Sequence, residues 1–250
     1  MLNNRFELEG KIFLVTGATS GIGYATSLLL LDLGCTLYAL GRNEKRLKEL
    51  EKRGKGKVIS IKADLFEIIN IDKSVSHIDG KIDGFIHSAG VVKATPLKFI
   101  SQEHLNLERT INYDSFLFLV QTLVKRKKFA KNSSIVAVSS ISAHFGMNGL
   151  SVYSGTKGAL ISTVRVLAKE LALQQIRVNS ISPGMIRTEM VTKVAGNVTD
   201  EALLIDEKKY PLGYGMPIDV AYCIAFLLSD ASSWMTGQDI VLDGGRTCYI

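Results

Sequence analysis

With 250 residues, 46% of them hydrophobic and 8% aromatic, the chain has room for one substantial packed α/β core, or at most two small ones. Its net charge of +6 suits an anionic ligand without implying nucleic acid, for which no zinc-finger or helix-turn-helix spacing appears. No charge-free run of about 18 apolar residues could cross a membrane, the opening MLNNRFELEGK lacks an apolar signal core, and Cys35, Cys223 and Cys248 have neither metal nor redox spacing, which together point to the cytoplasm.

The first elements read as strand, turn and helix: Ile12–Thr16 is a short apolar run, glycines follow, and Ile22–Leu33 is rich in apolar residues. Thr36–Leu40 reads as a second strand and the charged Asn43–Arg53 as a helix. Val58–Lys62, Gly84–His87, Ser134–Ser139 and Arg177–Ser182 repeat the strand signal, with helical patterns between them. Ser101–Lys127 and Val152–Leu173 read as two long helices, Pro217–Ser229 as a later one and Asp239–Leu242 as a last strand. Strands alternating with helices predict a parallel sheet covered on both faces. No linker, repeat or low-complexity stretch interrupts it, so residues 1–250 are expected to form a single domain. The irregular segment 187–211 follows the carboxyl end of a strand, where ligands sit in such sheets, and is a candidate lid.

Thr16–Gly23, TGATSGIG, stands between the first strand and the first helix. Its glycines let backbone approach a ligand and the helix N-terminus favours a pyrophosphate, which makes Gly17, Thr19, Ser20, Gly21, Ile22 and Gly23 candidate cofactor contacts. The Gly17-xxx-Gly21-x-Gly23 spacing differs from the commoner G-x-G-x-x-G fingerprint. At the end of the second strand, where an NAD site carries an acidic residue for the ribose 2′-hydroxyl, this chain has Leu40-Gly41-Arg42, followed by Asn43, and Arg42 and Asn43 are candidate cofactor contacts there. Glycine leaves room for a 2′-phosphate and the guanidinium of Arg42 can pair with it, which favours NADP over NAD; otherwise Arg42 simply faces solvent.

Of the eight tyrosines only Tyr153 has a lysine, Lys157, four positions on, so the two share a helix face. A tyrosine titrates near pH ~10, and a cation about 4 Å away at an effective dielectric near 20 favours phenolate by roughly 4 kcal/mol, about three pK units. That cation is expected to bring Tyr153 toward the range where it exchanges a proton with an alcohol or ketone, with Ser140 holding the substrate oxygen from the other side. The plainer reading is a surface Tyr–Lys pair on an amphipathic helix.

TGATSGIG, Ser140 thirteen residues before Tyr153, Tyr153-xxx-Lys157, and Pro183-Gly184 with Thr188 occur in that order. Together they resemble the short-chain dehydrogenase/reductase family, in its branch of about 250 residues, over nearly the whole chain. The resemblance implies a seven-stranded Rossmann-type sheet of order 3-2-1-4-5-6-7 and an NAD(P)-dependent alcohol/carbonyl interconversion. It implies that Tyr153 is the acid/base, that Lys157 binds the nicotinamide ribose and lowers the tyrosine pKa, and that Ser140 polarises the carbonyl. Asn112 falls where the family holds a relay water; taken alone it reads as a helix-kink or core amide. Asp64, with Leu65 beside it, matches the adenine contact, and Pro183, Gly184, Ile186 and Thr188 match the segment gripping the nicotinamide carboxamide and phosphates. In place of the family's frequent Asn-Asn-Ala-Gly the chain has His87-Ser88-Ala89-Gly90, where Ser88, Ala89 and Gly90 are expected at the cofactor ribose and His87 as a packing residue.

The second half is similar to 3-oxoacyl-(acyl carrier protein) reductases. Lys125, Arg126, Lys127 and Lys128, with Lys131, form a basic run near the family's carrier-docking position, while a second docking arginine is replaced by Gln174. A lysine-rich helix end also complements the helix dipole. The substrate is thus expected to be an acyl thioester or, alternatively, a free sugar, polyol or steroid-like alcohol, met by Ser140, Ser142, His144 and Tyr153, with Phe145 and Met147 nearby. A non-catalytic NADP-binding sensor or scaffold is a further alternative, against which Ser140, Tyr153 and Lys157 are all retained. By resemblance the chain is expected to be a homotetramer or homodimer.

Overall fold

The structure, a computed structural model, describes residues 4–189 and 200–249. Seven strands, β1 (Ile12–Thr16), β2 (Thr36–Gly41), β3 (Val58–Lys62), β4 (Ile82–His87), β5 (Phe129–Val138), β6 (Arg177–Pro183) and β7 (Asp239–Leu242), form one sheet of order β3-β2-β1-β4-β5-β6-β7. Every neighbouring pair is parallel; Leu14, for example, stands between Tyr38 and Phe85. Such a sheet buries both faces, which is why most of β1 and the second half of β5 are continuous apolar runs rather than alternating ones. The chain reverses its strand order between β1 and β4, and this opens a crevice at their carboxyl ends.

Eight helices cover the sheet: α1 (Gly21–Asp32), α2 (Glu44–Gly54), α3 (Asn70–Ser76), α4 (Gln102–Arg109), α5 (Ser115–Lys125), α6 (Ser151–Leu171), α7 (Asp200–Glu207) and α8 (Pro217–Leu228) among the described residues. On one face Leu30 of α1, Leu50 of α2 and Val220 and Ile224 of α8 pack against Phe13, Val15 and Ile181. On the other, Val75, Leu119, Leu123, Leu160 and Val164 of α3, α5 and α6 pack against Leu14, Phe85 and Ile135. None of the helices among the described residues is long and apolar enough to cross a membrane.

Local chemistry sets the helix ends. Asn43 caps α2 by accepting the Arg46 N–H at 3.2 Å, and Ser101 caps α4 by accepting the His104 N–H at 3.1 Å. The single long helix expected over 101–127 is instead α4 and α5 joined by one π turn, Thr110–Asp114. Two polar side chains favour the wider turn: Ser115 Oγ donates to Ile111 O at 2.8 Å, and the Asn112 amide leaves the helix surface to bond Val91. In the segment 187–211, read from sequence as irregular, residues 190–199 lie outside the described part and α7 occupies 200–207.

Candidate active site

The glycine turn after β1 is built by close approach. Gly17 and Gly21 have φ of +66° and +49°, a region that favours glycine. A Cβ on Gly23 would stand 2.3 Å from Gly17 O, and one on Gly17 would stand 2.9 Å from Ala89 N, so α1 starts hard against the turn and the turn against the end of β4. Thr16 Oγ1 ties the two strands, 3.1 Å from His87 Nδ1 and accepting the Ala89 N–H at 3.3 Å. His87 is fully buried beside Phe116; burial and then the nearby Lys157 charge push its imidazole down to about 3, so it packs as a neutral ring.

A cavity of about 740 Å³ runs along the carboxyl ends of the strands from this turn to Tyr153. At its outer end Arg42 Nη1 is 3.4 Å from Asp64 Oδ2, with the two side chains 65% and 43% exposed. An ion pair so exposed holds Arg42 weakly and leaves its guanidinium able to turn toward an anion. The room beside Gly41 is already occupied, because a Cβ there would sit 2.5 Å from Thr19 Cγ2. The side chain of Thr19, rather than a 2′-phosphate, therefore explains the glycine.

At the inner end Ser140, extended at the end of β5, accepts the Ser142 N–H at 3.2 Å. The Ser142 hydroxyl is buried without a hydrogen-bond partner. Tyr153 and Lys157 lie one turn apart on α6, as their spacing predicts, with Lys157 Nζ 5.6 Å from the Tyr153 ring centroid. The electrostatics differ from the sequence expectation. Burial pushes the Tyr153 phenol up to about 12, while the Ser140 hydroxyl acts to lower it. Burial pushes the Lys157 ammonium down to about 8. Lys157 Nζ donates to Val138 O at 2.8 Å rather than to the phenol oxygen, so here desolvation outweighs the cation that was expected to lower the tyrosine. Asn112 is buried in the π turn, accepting the Val91 N–H at 2.8 Å and donating to Val91 O at 2.9 Å and Thr156 Oγ1 at 3.1 Å.

The structure places Gly17, Thr19, Ser20, Gly21, Ile22, Arg42, Asp64 and Leu65 on the cavity lining. The same lining takes in Ser88, Ala89, Gly90, Ser140, Ser142, Tyr153, Lys157, Pro183, Gly184, Ile186 and Thr188. Four expected residues are elsewhere. Gly23 lies under the turn, Asn43 caps α2, and Asn112 is behind Gly90. His144 turns away from the cavity, its Nε2 2.8 Å from Asp239 Oδ2 and 3.2 Å from Ser182 Oγ, because the β6–β7 edge offers it a carboxylate. Phe145 also leaves the lining, beneath the Arg246 guanidinium. The apolar wall formed by Leu150, Leu203, Tyr210 and Tyr214 was not read from sequence; no motif marks it, since it forms only when the segment after β6 folds back over α6.

The basic run lies at the opposite edge of the sheet, where Lys127, Lys131 and Gln174 surround a hollow at the amino ends of β4, β5 and β6. It is not a uniform patch: Arg126 is held by Asp72 through two hydrogen bonds of 3.1 and 2.5 Å, and Lys128 Nζ donates to Ile78 O at 2.5 Å.

Known proteins resemble the chain over this same extent. The profile of the family described as enoyl-(acyl carrier protein) reductase matches residues 17–247. The 3-oxoacyl-(acyl-carrier-protein) reductase of Thermotoga maritima is 35% identical over 246 residues, covering 95% of this chain and 98% of that protein. A solved short-chain dehydrogenase/reductase of Brucella melitensis, described as a glucose/ribitol dehydrogenase, superposes with a TM-score of 0.89 at 31% identity, covering 96% of this chain and 98% of that one. A candidate NAD(P)-dependent gluconate 5-dehydrogenase of Beutenbergia cavernae, solved with NADP at low occupancy, gives 0.89 at 25% identity, covering 98% of this chain and all of that one, at 100%.

Proposed function

Because this chain belongs to the short-chain dehydrogenase/reductase family, oxidoreductases acting on CH–OH and C=O groups, we propose that it is an NADP(H)-dependent reductase of 3-oxoacyl thioesters. The observation that carries this reading is one continuous cavity with hydroxyls at its centre. Ser140, Tyr153 and Lys157 stand between the glycine turn and the apolar wall of Met147, Leu150, Leu203 and Tyr214. In this reading Gly17–Ile22 hold the pyrophosphate at the start of α1 and Asp64 and Leu65 flank the adenine. Arg42 pairs with the 2′-phosphate, Ala89 and Gly90 meet the ribose, and Pro183–Thr188 grip the nicotinamide end. The positive φ of Gly17 and Gly21 keeps side chains out of that cradle, so the residues present fit a dinucleotide.

When bound, NADPH supplies the hydride. The chain's own groups manage the oxygen. Ser140 and Tyr153 donate hydrogen bonds to the carbonyl and stabilise the negative charge that develops on it. Tyr153 then delivers its proton. The Lys157 ammonium, 5.6 Å from the ring centroid, makes the resulting phenolate less costly. Asn112, whose amide bonds Val91 and Thr156 behind Gly90, is given in this reading the role of holding the water that returns the proton.

The acyl reading is supported by the Thermotoga maritima relative and by the apolar wall, which suits a chain beyond the reacting carbonyl. On an acidic carrier protein, the docking contacts we propose are Lys125, Lys127 and Lys131, since Arg126 and Lys128 are engaged within the chain. A free sugar or polyol is the second reading, favoured by the relatives described as glucose/ribitol and gluconate dehydrogenases. We further propose a cytoplasmic homo-oligomer, tetramer or dimer, joined through α5 and α6, whose outward Phe118 and Val166 are 41% and 54% exposed.

The deciding experiment is oxidation of NADPH, and of NADH in parallel, against acetoacetyl thioester, crotonyl thioester and a panel of free ketones and keto-sugars. The proposal expects acetoacetyl thioester with NADPH to give the highest kcat/KM. A better free ketone selects the second reading, and turnover of crotonyl thioester alone removes the carbonyl assignment.

A further inference from the structure

The helix face that carries Asn112 toward the cavity carries a second polar pair one and two turns earlier. Glu108 and His104 have side chains 0% and 3% exposed, with His104 Nε2 3.3 Å from Glu108 Oε1. Ionisable groups inside a core lower stability unless they are fully paired and hydrogen-bonded. This pair is incomplete. Glu108 Oε1 accepts the Lys93 N–H at 2.5 Å, while Glu108 Oε2 and both ring nitrogens of His104 have no hydrogen-bond partner. Leucine or isoleucine would pack these two positions of an amphipathic helix without that penalty, so the polar pair calls for a function.

Its position suggests one. Glu108 lies one turn before Asn112, whose amide reaches Thr156, the residue before Lys157. Lys157 is 4% exposed and its ammonium rests on a backbone carbonyl, Val138 O. We propose that Glu108, steadied by the Lys93 N–H, is a positioning residue whose buried carboxylate holds Lys157 as an ammonium beneath Tyr153.

The groups around this charge are few. Tyr153 and Lys157 feel it from α6, Lys93 meets it from the segment beyond β4 and His104 from its own helix, while His87, at the end of β4, neighbours Lys157. His87 is neutral in the working range, because burial holds its imidazole near 3. The Lys93 side chain is exposed and meets Glu108 through its backbone. Glu108 is the carboxylate whose field reaches both Lys157 and Tyr153, and at Lys157 it opposes the desolvation that pulls the ammonium down.

This inference rests on the role given to Lys157 above, so its test has a readout independent of turnover. In the full chain carrying 13Cε-lysine, the Lys157 resonance is assigned by its loss in Lys157→Met and titrated in wild type, Glu108→Gln and Glu108→Asp. Glu108→Gln keeps an oxygen for the Lys93 N–H and removes the charge. It should lower the Lys157 midpoint by about one pH unit and move the alkaline fall of kcat/KM down by the same amount. Glu108→Asp keeps the charge and should leave the midpoint close to that of wild type. An unshifted Gln variant, or an Asp variant that falls as far as Gln, overturns the proposal and leaves Glu108 as a clamp on the Lys93 backbone. If Glu108→Gln does not fold, Glu108→Leu, which also removes the charge, takes its place in the same titration, with the same downward shift expected and an unshifted midpoint overturning the proposal. A chain that reduces no ketone would refute the proposed function, yet the lysine resonance would still report on Glu108, so the two failures are told apart.

Discussion

Replacing Lys157 with methionine should make the cofactor-free protein more stable at neutral pH while removing its turnover. The lysine is 4% exposed, and burial moves its ammonium from 10.5 to about 8. Each tenfold loss of proton affinity corresponds to about 1.4 kcal/mol between the two protonation states. Keeping this charge inside the fold therefore costs about 3 kcal/mol below pH 8. Methionine fills a similar volume with nothing to desolvate. It forfeits the 2.8 Å bond to Val138 O and leaves that carbonyl short of a partner, a loss of about 1–2 kcal/mol. The balance favours methionine by about 1–2 kcal/mol, or roughly 3–6 °C in Tm for a chain of this length. The pH dependence supplies a second check. Between the folded midpoint near 8 and the unfolded one near 10.5, the unfolded chain binds more protons, so wild-type stability rises with pH across that window. The advantage of Lys157→Met should be full below pH 8 and should close above about 10.5. Urea unfolding of both proteins at pH 7 and pH 10 measures it. A methionine variant weaker than wild type at pH 7, or an advantage that does not shrink with pH, would refute the reasoning.

Tyr153→Phe should lower kcat at least about a hundredfold, the usual scale of lost acid–base chemistry, with the Kd for NADPH largely kept, as fluorescence titration would report. His87→Asn should flatten the acid side of the stability profile. The folded imidazole titrates near 3 and the unfolded one near 6.5, so wild type loses stability progressively as pH falls through that window, by several kcal/mol in all, whereas asparagine takes up no proton; urea midpoints at pH 7 and pH 4 compare them. Gly23→Ala drives a methyl to 2.3 Å from Gly17 O, so the turn must open. NADPH affinity should fall at least about tenfold and stability by roughly 2 kcal/mol, read by calorimetric titration and thermal unfolding.

The layered fold was legible because β1, most of β2 and the end of β5 are short apolar runs bounded by glycine or polar residues, and the order of motifs orders the sheet. The Tyr153–Lys157 pair was legible for the same local reason: four residues along a helix is one turn. Features that depend on a distant partner were not. Asn43 beside Arg42 looked like a ligand contact, but its side chain finds the Arg46 N–H first. His144 lies close in sequence to Ser140, but Asp239 on β7 draws it outward. The lowered tyrosine pKa assumed a cation near the phenol oxygen. In the folded chain the ammonium bonds Val138 O, and desolvation, which no sequence pattern reports, raises the phenol instead. Glu108 and His104 carry no motif that marks them, since only the docking of α4 against α6 buries them.

The π turn at Thr110–Asp114 also sets the phase of the helix beyond it. Counting from His104 by 3.6 residues, an unbroken helix would bring Ser115, Phe118 and Thr122 to the sheet. With one surplus residue absorbed, the inward stripe becomes Phe116, Leu119, Val120 and Leu123, and Phe118 stays outside at 41% exposure. Closing this turn to α geometry with every residue kept would rotate everything downstream by about 100° and turn Ser115, Phe118 and Thr122 inward. Deleting one residue between Glu108 and Ser115 would instead leave the apolar stripe in place and remove only the wide turn that carries the Asn112 amide to Val91. The surplus residue therefore serves the placement of Asn112 and not the packing of α5 against the sheet.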